Sequence, residues 1–227
     1  MISEVFNMDC MEYMKNIPDK FFDLAIVDPP YGINAPKMGR GAGYSGGVYT
    51  KRKRLNGGAG KLKNRFLNNS DCSWDENPPG EDYFQELFRV SKNQIIWGGN
   101  YFNLNPTRCI VVWDKVQPWE NFSQIELAWT SYDKPAKLIR LINAGYNCEK
   151  KIHPTQKPVE LYKYLLSRFA QKGFKIFDSH LGSGSSRIAA WEYGYDFYGC
   201  EKNHIYFERE EARFNKFKEQ GLLNFGD

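Results

Sequence analysis

The sequence lacks paired cysteines. Its five, at positions 10, 72, 109, 148 and 200, are odd in number, and no two stand in Cys-x-x-Cys spacing. That pattern offers neither a disulfide framework nor a zinc site, so no metal is expected. A reducing, cytoplasmic setting is the simple expectation. Histidine is scarce as well, with three residues, and His153 and His204 have no metal-ligand spacing with the cysteines. Both read as structural or surface residues. No apolar run approaches the roughly 20 residues of a membrane-spanning helix. Residues 1–10 carry Glu4 and Asp9 and no basic cluster, so no signal peptide and no membrane partner are expected. There is no internal repeat.

Acidic residues are missing from one long stretch. None lies between Tyr31 and Asp71, whereas Lys37, Arg40, Lys51, Arg52, Lys53, Arg54, Lys61, Lys63 and Arg65 do. The whole chain has a net charge of only +4, so the remainder is net acidic. A weakly acidic body with one strongly basic segment suggests a polyanion as partner. Residues 34–72 are also rich in glycine. They read as a long loop, of a length that in a compact domain is functional or disordered.

What is present fits one domain over residues 1–227. The apolar fraction is 41% and the aromatic fraction 16%, enough for a large sheet with its helices. Strands are expected at Val5–Met8, Phe22–Val27, Gln94–Trp97, Cys109–Trp113, Ile125–Trp129, Lys175–Asp178 and Asp196–Cys200. Helices are expected at Met11–Ile17, Tyr83–Val90, Val159–Gln171, Ser185–Tyr193 and His204–Glu219. This alternation implies an α/β protein whose mostly parallel sheet is covered on both faces. Trp97, Trp113 and Trp129 lie on expected strands and read as core. Glu126 lies within an apolar strand, either as a buried, paired acid or as an edge-strand charge.

Three motifs carry chemistry. Asp28-Pro29-Pro30-Tyr31 follows a buried strand directly, and α/β sheets bind ligands at the carboxyl ends of their strands. A carboxylate and a proline-fixed carbonyl can each accept one N–H of an aromatic amine and direct its lone pair at an electrophile. Tyr31 offers a ring face for stacking. A rigid strand-to-loop turn would use the same residues. The second motif runs from Phe177 to Ser185 through Asp178, His180, Gly182, Ser183 and Gly184. It is a strand, a glycine turn and a helix start, where backbone can approach a cofactor closely. Asp178 could face an ammonium group. About 20 residues later Glu201 ends the next strand, the spacing of a carboxylate that grips ribose hydroxyls. A tight packing turn is the rival for the glycine loop alone. The third motif, His153-Pro154-Thr155-Gln156-Lys157-Pro158, precedes a helix and reads equally well as a proline-rich helix entry.

In this order and spacing the motifs resemble the beta group of DNA amino-methyltransferases, which modify adenine N6 or cytosine N4. The resemblance covers residues 4–33, 74–130 and 150–215. It implies a Rossmann-like, S-adenosylmethionine-dependent methyltransferase fold with a seven-stranded, mostly parallel sheet, circularly permuted to start near its third strand. Asp28, Pro29, Pro30 and Tyr31 would form the catalytic pocket. Asp28, Asp178, His180, Gly182, Ser183 and Gly184 would line the cofactor, and Glu201 would bind its ribose. Asp9 and Cys10 would lie beside its adenine, and Thr155, Lys157 and Pro158 near its methionine end. The cofactor would be S-adenosylmethionine. Double-stranded DNA would be the partner, gripped by the nine basic residues of 34–72. The resemblance leaves room for a homodimer and for a restriction or specificity partner.

The sequence departs from the family at Asp178-Ser179-His180, where Asp-Pro-Phe is usual, so an imidazole replaces an apolar ring. A packing or hydrogen-bonding role suits His180 better than that of a base. The segment 131–147, where relatives often carry target-recognition sequence, is short, and no separate large recognition domain is expected. Methylation at cytosine C5 needs a cysteine after proline, and here the five cysteines follow Asp, Asp, Arg, Asn and Gly. In the family, Asp at the first motif position leans toward adenine N6 and Ser toward cytosine N4, so at Asp28 the resemblance implies adenine N6, with cytosine N4 as its near rival. A non-catalytic nucleic-acid-binding subunit with the same fold is the alternative of another class.

Overall fold

The computed structural model describes residues 1–33, 73–117, 123–142 and 151–223. Their strands form one sheet. The strands are β1 (Ser3–Phe6), β2 (Phe22–Val27), β3 (Ser91–Trp97), β4 (Ile110–Asp114), β5 (Ile125–Thr130), β6 (Lys137–Arg140), β7 (Lys175–Asp178) and β8 (Asp196–Cys200). The helices are α1 (Cys10–Lys15), α2 (Glu81–Val90), α3 (Val159–Phe169), α4 (Ser185–Glu192) and α5 (His204–Leu223).

The spatial order is β1-β8-β7-β2-β3-β5-β4-β6. β1, β8, β7, β2 and β3 are parallel neighbours, whereas β5 runs against both β3 and β4. The sheet thus has eight strands where seven were expected. The additional one is β6, which pairs in parallel with β4 from Val111↔Lys137 to Asp114↔Arg140. Its Lys-Leu-Ile-Arg sequence carries no run of apolar residues, and Leu138 is 55% exposed, so it has the look of a loop until β4 is seen beside it.

β2 sits in the middle of the sheet and shows why. Phe22-Asp23-Leu24-Ala25-Ile26-Val27 is nearly all apolar, as a strand covered on both faces must be. Leu24 and Ile26 join a core shared with α3 and α4, through Leu161, Leu165 and Ala189. Ala25 and Val27 join the opposite core, with Met14 of α1 and Tyr83, Leu87 and Val90 of α2. This is the two-residue period of a strand, turned into two helical layers. Pro29 and Pro30 then end the strand, because neither can donate to a ladder.

Strand and helix ends follow local chemistry. β1 begins and ends two residues before the expected span, since Ser3–Phe6 is what pairs with Phe197–Cys200. Asn7 leaves the ladder and donates its side-chain amide to the Glu201 carbonyl at 2.8 Å. α1 starts at Cys10 because Asp9 caps it, accepting the Met11 N–H at 2.8 Å. Among the described residues no helix is long and apolar enough to cross a membrane. Nor does any cluster of His, Cys, Asp and Glu among them suit a metal ion.

The chain leaves β7 through α4 toward β8, and leaves β2 through α2 toward β3. The two crossovers depart in opposite directions from the β7–β2 pair. Such a reversal opens a crevice at the carboxyl ends of the two strands. Asp178 ends β7 and Asp28 follows β2, so both acids stand at that crevice.

Candidate active site

Asp28 is held by one side chain of its own loop and one from a distant part of the chain. Its Oδ1 accepts the Tyr31 hydroxyl at 2.6 Å, and its Oδ2 lies 2.5 Å from the Lys157 Nζ. Lys157 Nζ also donates to the Tyr31 hydroxyl oxygen at 3.2 Å. It lies 3.1 Å from Glu126 Oε2, while Lys115 pairs with the other Glu126 oxygen. Glu126 is thus a paired acid, half-buried rather than fully buried, on a strand flanked on both sides and not at an edge. The acidic carboxylate in an apolar strand was the sequence signal, but neither lysine partner was evident from it.

The Tyr31 ring is fixed from several sides. It stacks on Tyr101 with centroids 5.0 Å apart and planes 16° from parallel. Its backbone N–H and that of Gly32 both donate to Asp75 Oδ1, at 2.8 and 3.1 Å. Gly98, just past β3, permits this placement: its φ is +70°, and a Cβ there would stand 2.3 Å from the Tyr31 ring. Only glycine fits both constraints. Pro29 is buried and Pro30 half-buried.

Across the crevice, the glycine turn joins β7 to α4. Gly182 and Gly184 have φ values of +54° and +70°. Asp178 is buried, with Oδ2 accepting the Ser186 hydroxyl at 2.5 Å and Oδ1 the His180 N–H at 3.1 Å. Burial pushes its carboxyl up to about 7, against the pull of those two hydrogen bonds. Glu201, after β8, reaches back to the turn and accepts the Gly182 N–H at 2.8 Å. Burial raises its carboxyl too.

The remaining expected site residues divide between the two halves. His180 Nδ1 lies 2.9 Å from the Ser179 hydroxyl, which meets the Tyr83 hydroxyl at 2.7 Å. Burial pushes the imidazole down to about 4, so it is neutral at ordinary pH and serves in packing and hydrogen bonding. Ser183 is buried, its hydroxyl 3.2 Å from that of Ser185. Asp9 caps α1 and pairs with Lys202 at 2.9 Å. Cys10 opens α1 with a thiol that burial pushes up to about 12. Thr155 donates its N–H toward His153 Nδ1 at 3.4 Å, and Pro158 sets the start of α3. Lys157 spans both halves: its carbonyl accepts the Ser185 hydroxyl at 2.7 Å beside the glycine turn, while its ammonium reaches Asp28. His153 is buried between Trp74 and Tyr206. The nine basic residues from Lys37 to Arg65 lie outside the described residues.

A crevice at the carboxyl ends of parallel strands, with a glycine turn on one side and Asp-Pro-Pro-Tyr on the other, defines the class. The chain belongs to the DNA methylase family of the N6/N4 methyltransferase type, whose model matches residues 96–212. Among curated relatives, it is 24% identical to the type II methyltransferase M.HinfI of Haemophilus influenzae, over 96% of this chain and 69% of that one. Among solved structures, it is similar to the complex of M1.HpyAVI with S-adenosylmethionine, at a TM-score of 0.54 and 18% identity, covering 94% of this chain and 100% of that one. It is also similar to the PvuII DNA methyltransferase described as cytosine-N4-specific, at a TM-score of 0.59 and 12% identity, covering 96% and 91%. At these identities the two structures speak for the fold, the Rossmann-like fold of such methyltransferases.

Proposed function

We propose that the chain transfers a methyl group from S-adenosylmethionine to N6 of adenine in double-stranded DNA. The observation that carries this is Asp28. It is a carboxylate at the end of the central strand, braced by Tyr31 and facing the crevice that Asp178 and the glycine turn share.

The residues fit the donor. Asp178 offers a buried carboxylate to an ammonium group, Glu201 a second one to paired hydroxyls, and the glycine turn leaves room against the backbone. Bound there, the cofactor supplies an electrophilic methyl on a sulfonium. The chain supplies the acceptors. Asp28 and the Pro29 carbonyl each take one N–H of the target amine, which pyramidalises the nitrogen and points its lone pair at the methyl. The N–C bond would form as the S–C bond breaks, the sulfur leaving as a neutral thioether, and the surplus proton on the methylated amine would pass to solvent water. The Tyr31–Tyr101 pair provides the aromatic surface for an extruded base. The basic segment 34–72 grips the flanking phosphates, a reading that rests on its charge alone.

Cytosine N4 is the second reading, because the same acceptors serve that amine and a neighbour of the same fold is described as cytosine-N4-specific. One experiment separates the two. Tritiated methyl transfer to mixed-sequence DNA, followed by nucleoside mass spectrometry, gives N6-methyladenine if this proposal holds. N4-methylcytosine selects the second reading, and no incorporation removes both.

A further inference from the structure

Four charged side chains from four separate stretches form one chain of contacts beside the crevice. Lys115 follows β4, Glu126 lies on β5, Lys157 precedes α3 and Asp28 follows β2. Lys115 pairs with Glu126 Oε1, Glu126 Oε2 lies 3.1 Å from Lys157 Nζ, and Lys157 Nζ lies 2.5 Å from Asp28 Oδ2. The Lys157 side chain is only 4% exposed, and its ammonium also faces the Trp97 ring at 5.3 Å. Two cations and two carboxylates balance, as burial of charge requires. Because Lys115 already serves Glu126, much of the Lys157 charge is left for Asp28.

An amine acceptor must be ionised. A protonated Asp28 would turn one oxygen into a donor and lose its pull on the target N–H groups. Burial drives it that way, and Glu126 pushes in the same direction, while Lys157 opposes both. The other titratable groups whose charge couples to Asp28 are Tyr31 on its own loop, Tyr83 of α2, Tyr162 of α3 and Asp178 at the end of β7. All of these are neutral or acidic, so within this set the opposing charge is that of Lys157. A carboxylate has about four lone-pair sites, so Tyr31 and Lys157 together leave one open on each oxygen.

We propose that Lys157 is a positioning residue, the counter-charge that holds Asp28 as an oriented carboxylate able to receive the target amine. This rests on the reading of Asp28 as the amine acceptor. The test uses Lys157→Met and Glu126→Gln in the full chain, with two readouts. The first is a carbon-13 titration of aspartate carboxyls without cofactor or DNA, the Asp28 signal being the one lost in Asp28→Asn. Lys157→Met moves the Asp28 midpoint to higher pH, and Glu126→Gln moves it to lower pH. The second is the rate of methyl transfer at saturating cofactor and DNA. Lys157→Met loses more rate below its own Asp28 midpoint than above it, relative to the native chain, approaching a tenfold difference at low pH for each unit by which that midpoint is displaced. Lys157→Arg retains the native profile. If Lys157→Met does not fold, the near-isosteric Glu126→Gln carries the test with its opposite sign. An unmoved Asp28 midpoint, or a loss of rate equal at every pH, makes Lys157 structural and overturns the proposal. Absence of methyl transfer by the native chain would remove the proposed function, yet the carboxyl titration would still decide the role of Lys157.

Discussion

Glu201 holds Gly182. One carboxylate oxygen accepts the Gly182 N–H at 2.8 Å, and the other accepts the Asn203 N–H at the same distance. The end of β8 is thereby tied to the glycine turn after β7, and each oxygen keeps a lone pair for an incoming hydroxyl. Glu201→Ala is expected to weaken S-adenosylmethionine binding by about 1.5–3 kcal/mol, the scale of hydrogen bonds to a charged group. Glu201→Gln keeps a carbonyl acceptor and loses less. Calorimetry measures both, and saturating cofactor restores much of the rate. Unchanged affinity in Glu201→Ala would place the ribose elsewhere.

In the proposed reaction Asp28 serves the other substrate, the target amine. Asp28→Ala is expected to lower single-turnover methyl transfer by roughly 100- to 1,000-fold, the usual cost of one preorganised electrostatic group. Cofactor affinity should hardly move, since the acceptor serves the amine and not the donor. Near-native turnover in this variant would sink the assignment.

Asp178 predicts a pH dependence of cofactor binding. Its carboxyl, pushed up to about 7 by burial, is largely protonated below that pH. An ammonium ligand prefers the carboxylate, so binding expels the proton. Affinity should fall as pH drops below about 7 and level off above it, with proton release visible as buffer-dependent calorimetric heats. Asp178→Asn should bind more weakly and abolish both effects. An affinity that stays flat through that range in the native chain would detach Asp178 from the ammonium.

Arg187 and Glu210 test stability apart from function. The Arg187 guanidinium reaches both Glu210 oxygens at 3.0 and 3.1 Å and lies 3.8 Å from the centroid of the Phe214 ring. Glu210 is fully buried, and burial still pushes its carboxyl up to about 7. Arg187→Leu strands that acid and is expected to cost about 3–5 kcal/mol in urea unfolding. Replacing Glu210 with Leu as well should recover much of the loss. Additive losses would mean that the two do not act as a pair.

The basic segment makes a prediction from charge alone. If about four of its nine cations reach phosphates, the logarithm of DNA affinity falls with log salt at a slope near −4. Changing Lys51, Arg52, Lys53 and Arg54 to Ala should flatten that slope and weaken DNA binding, leaving cofactor affinity alone. An unchanged slope would make these residues solubilising only.

Local chemistry was the legible part of the molecule. β2, β7 and β8 occupy the expected spans because Pro29, Gly182 and Glu201 punctuate them sharply. α2 and α3 show their apolar faces at helical spacing, as Tyr83, Leu87 and Val90 or Leu161, Leu165 and Phe169. Partners brought from afar were harder to read. β6 has no distinguishing pattern of its own, since its pairing is supplied by β4. Glu126 could be seen as an acid in an apolar strand, but its half-buried place makes sense only with Lys115 on one oxygen and Lys157 on the other. Lys157 hides among prolines that speak for a helix entry and say nothing of where the ammonium goes. Its partner Asp28 lies 129 residues earlier.

The seam between β2 and β7 sets the order in which this protein can be made. Leu24 pairs with Ile176, and the Asp23 carboxylate caps the Lys175 N–H across 152 residues. A ribosome delivers β2 early and β7 late, so one side of β2 waits unpaired through most of translation. β3 arrives in between and can shield only the other side, through Phe22↔Ser91 to Val27↔Ile96. Contacts so far apart in sequence also close slowly once the whole chain is free. The nascent chain therefore carries an apolar central strand with an open edge, the kind of surface that invites pairing with another chain. The Asp28 side of the crevice is synthesised first, and the glycine-turn side joins it only when residues 175–201 emerge.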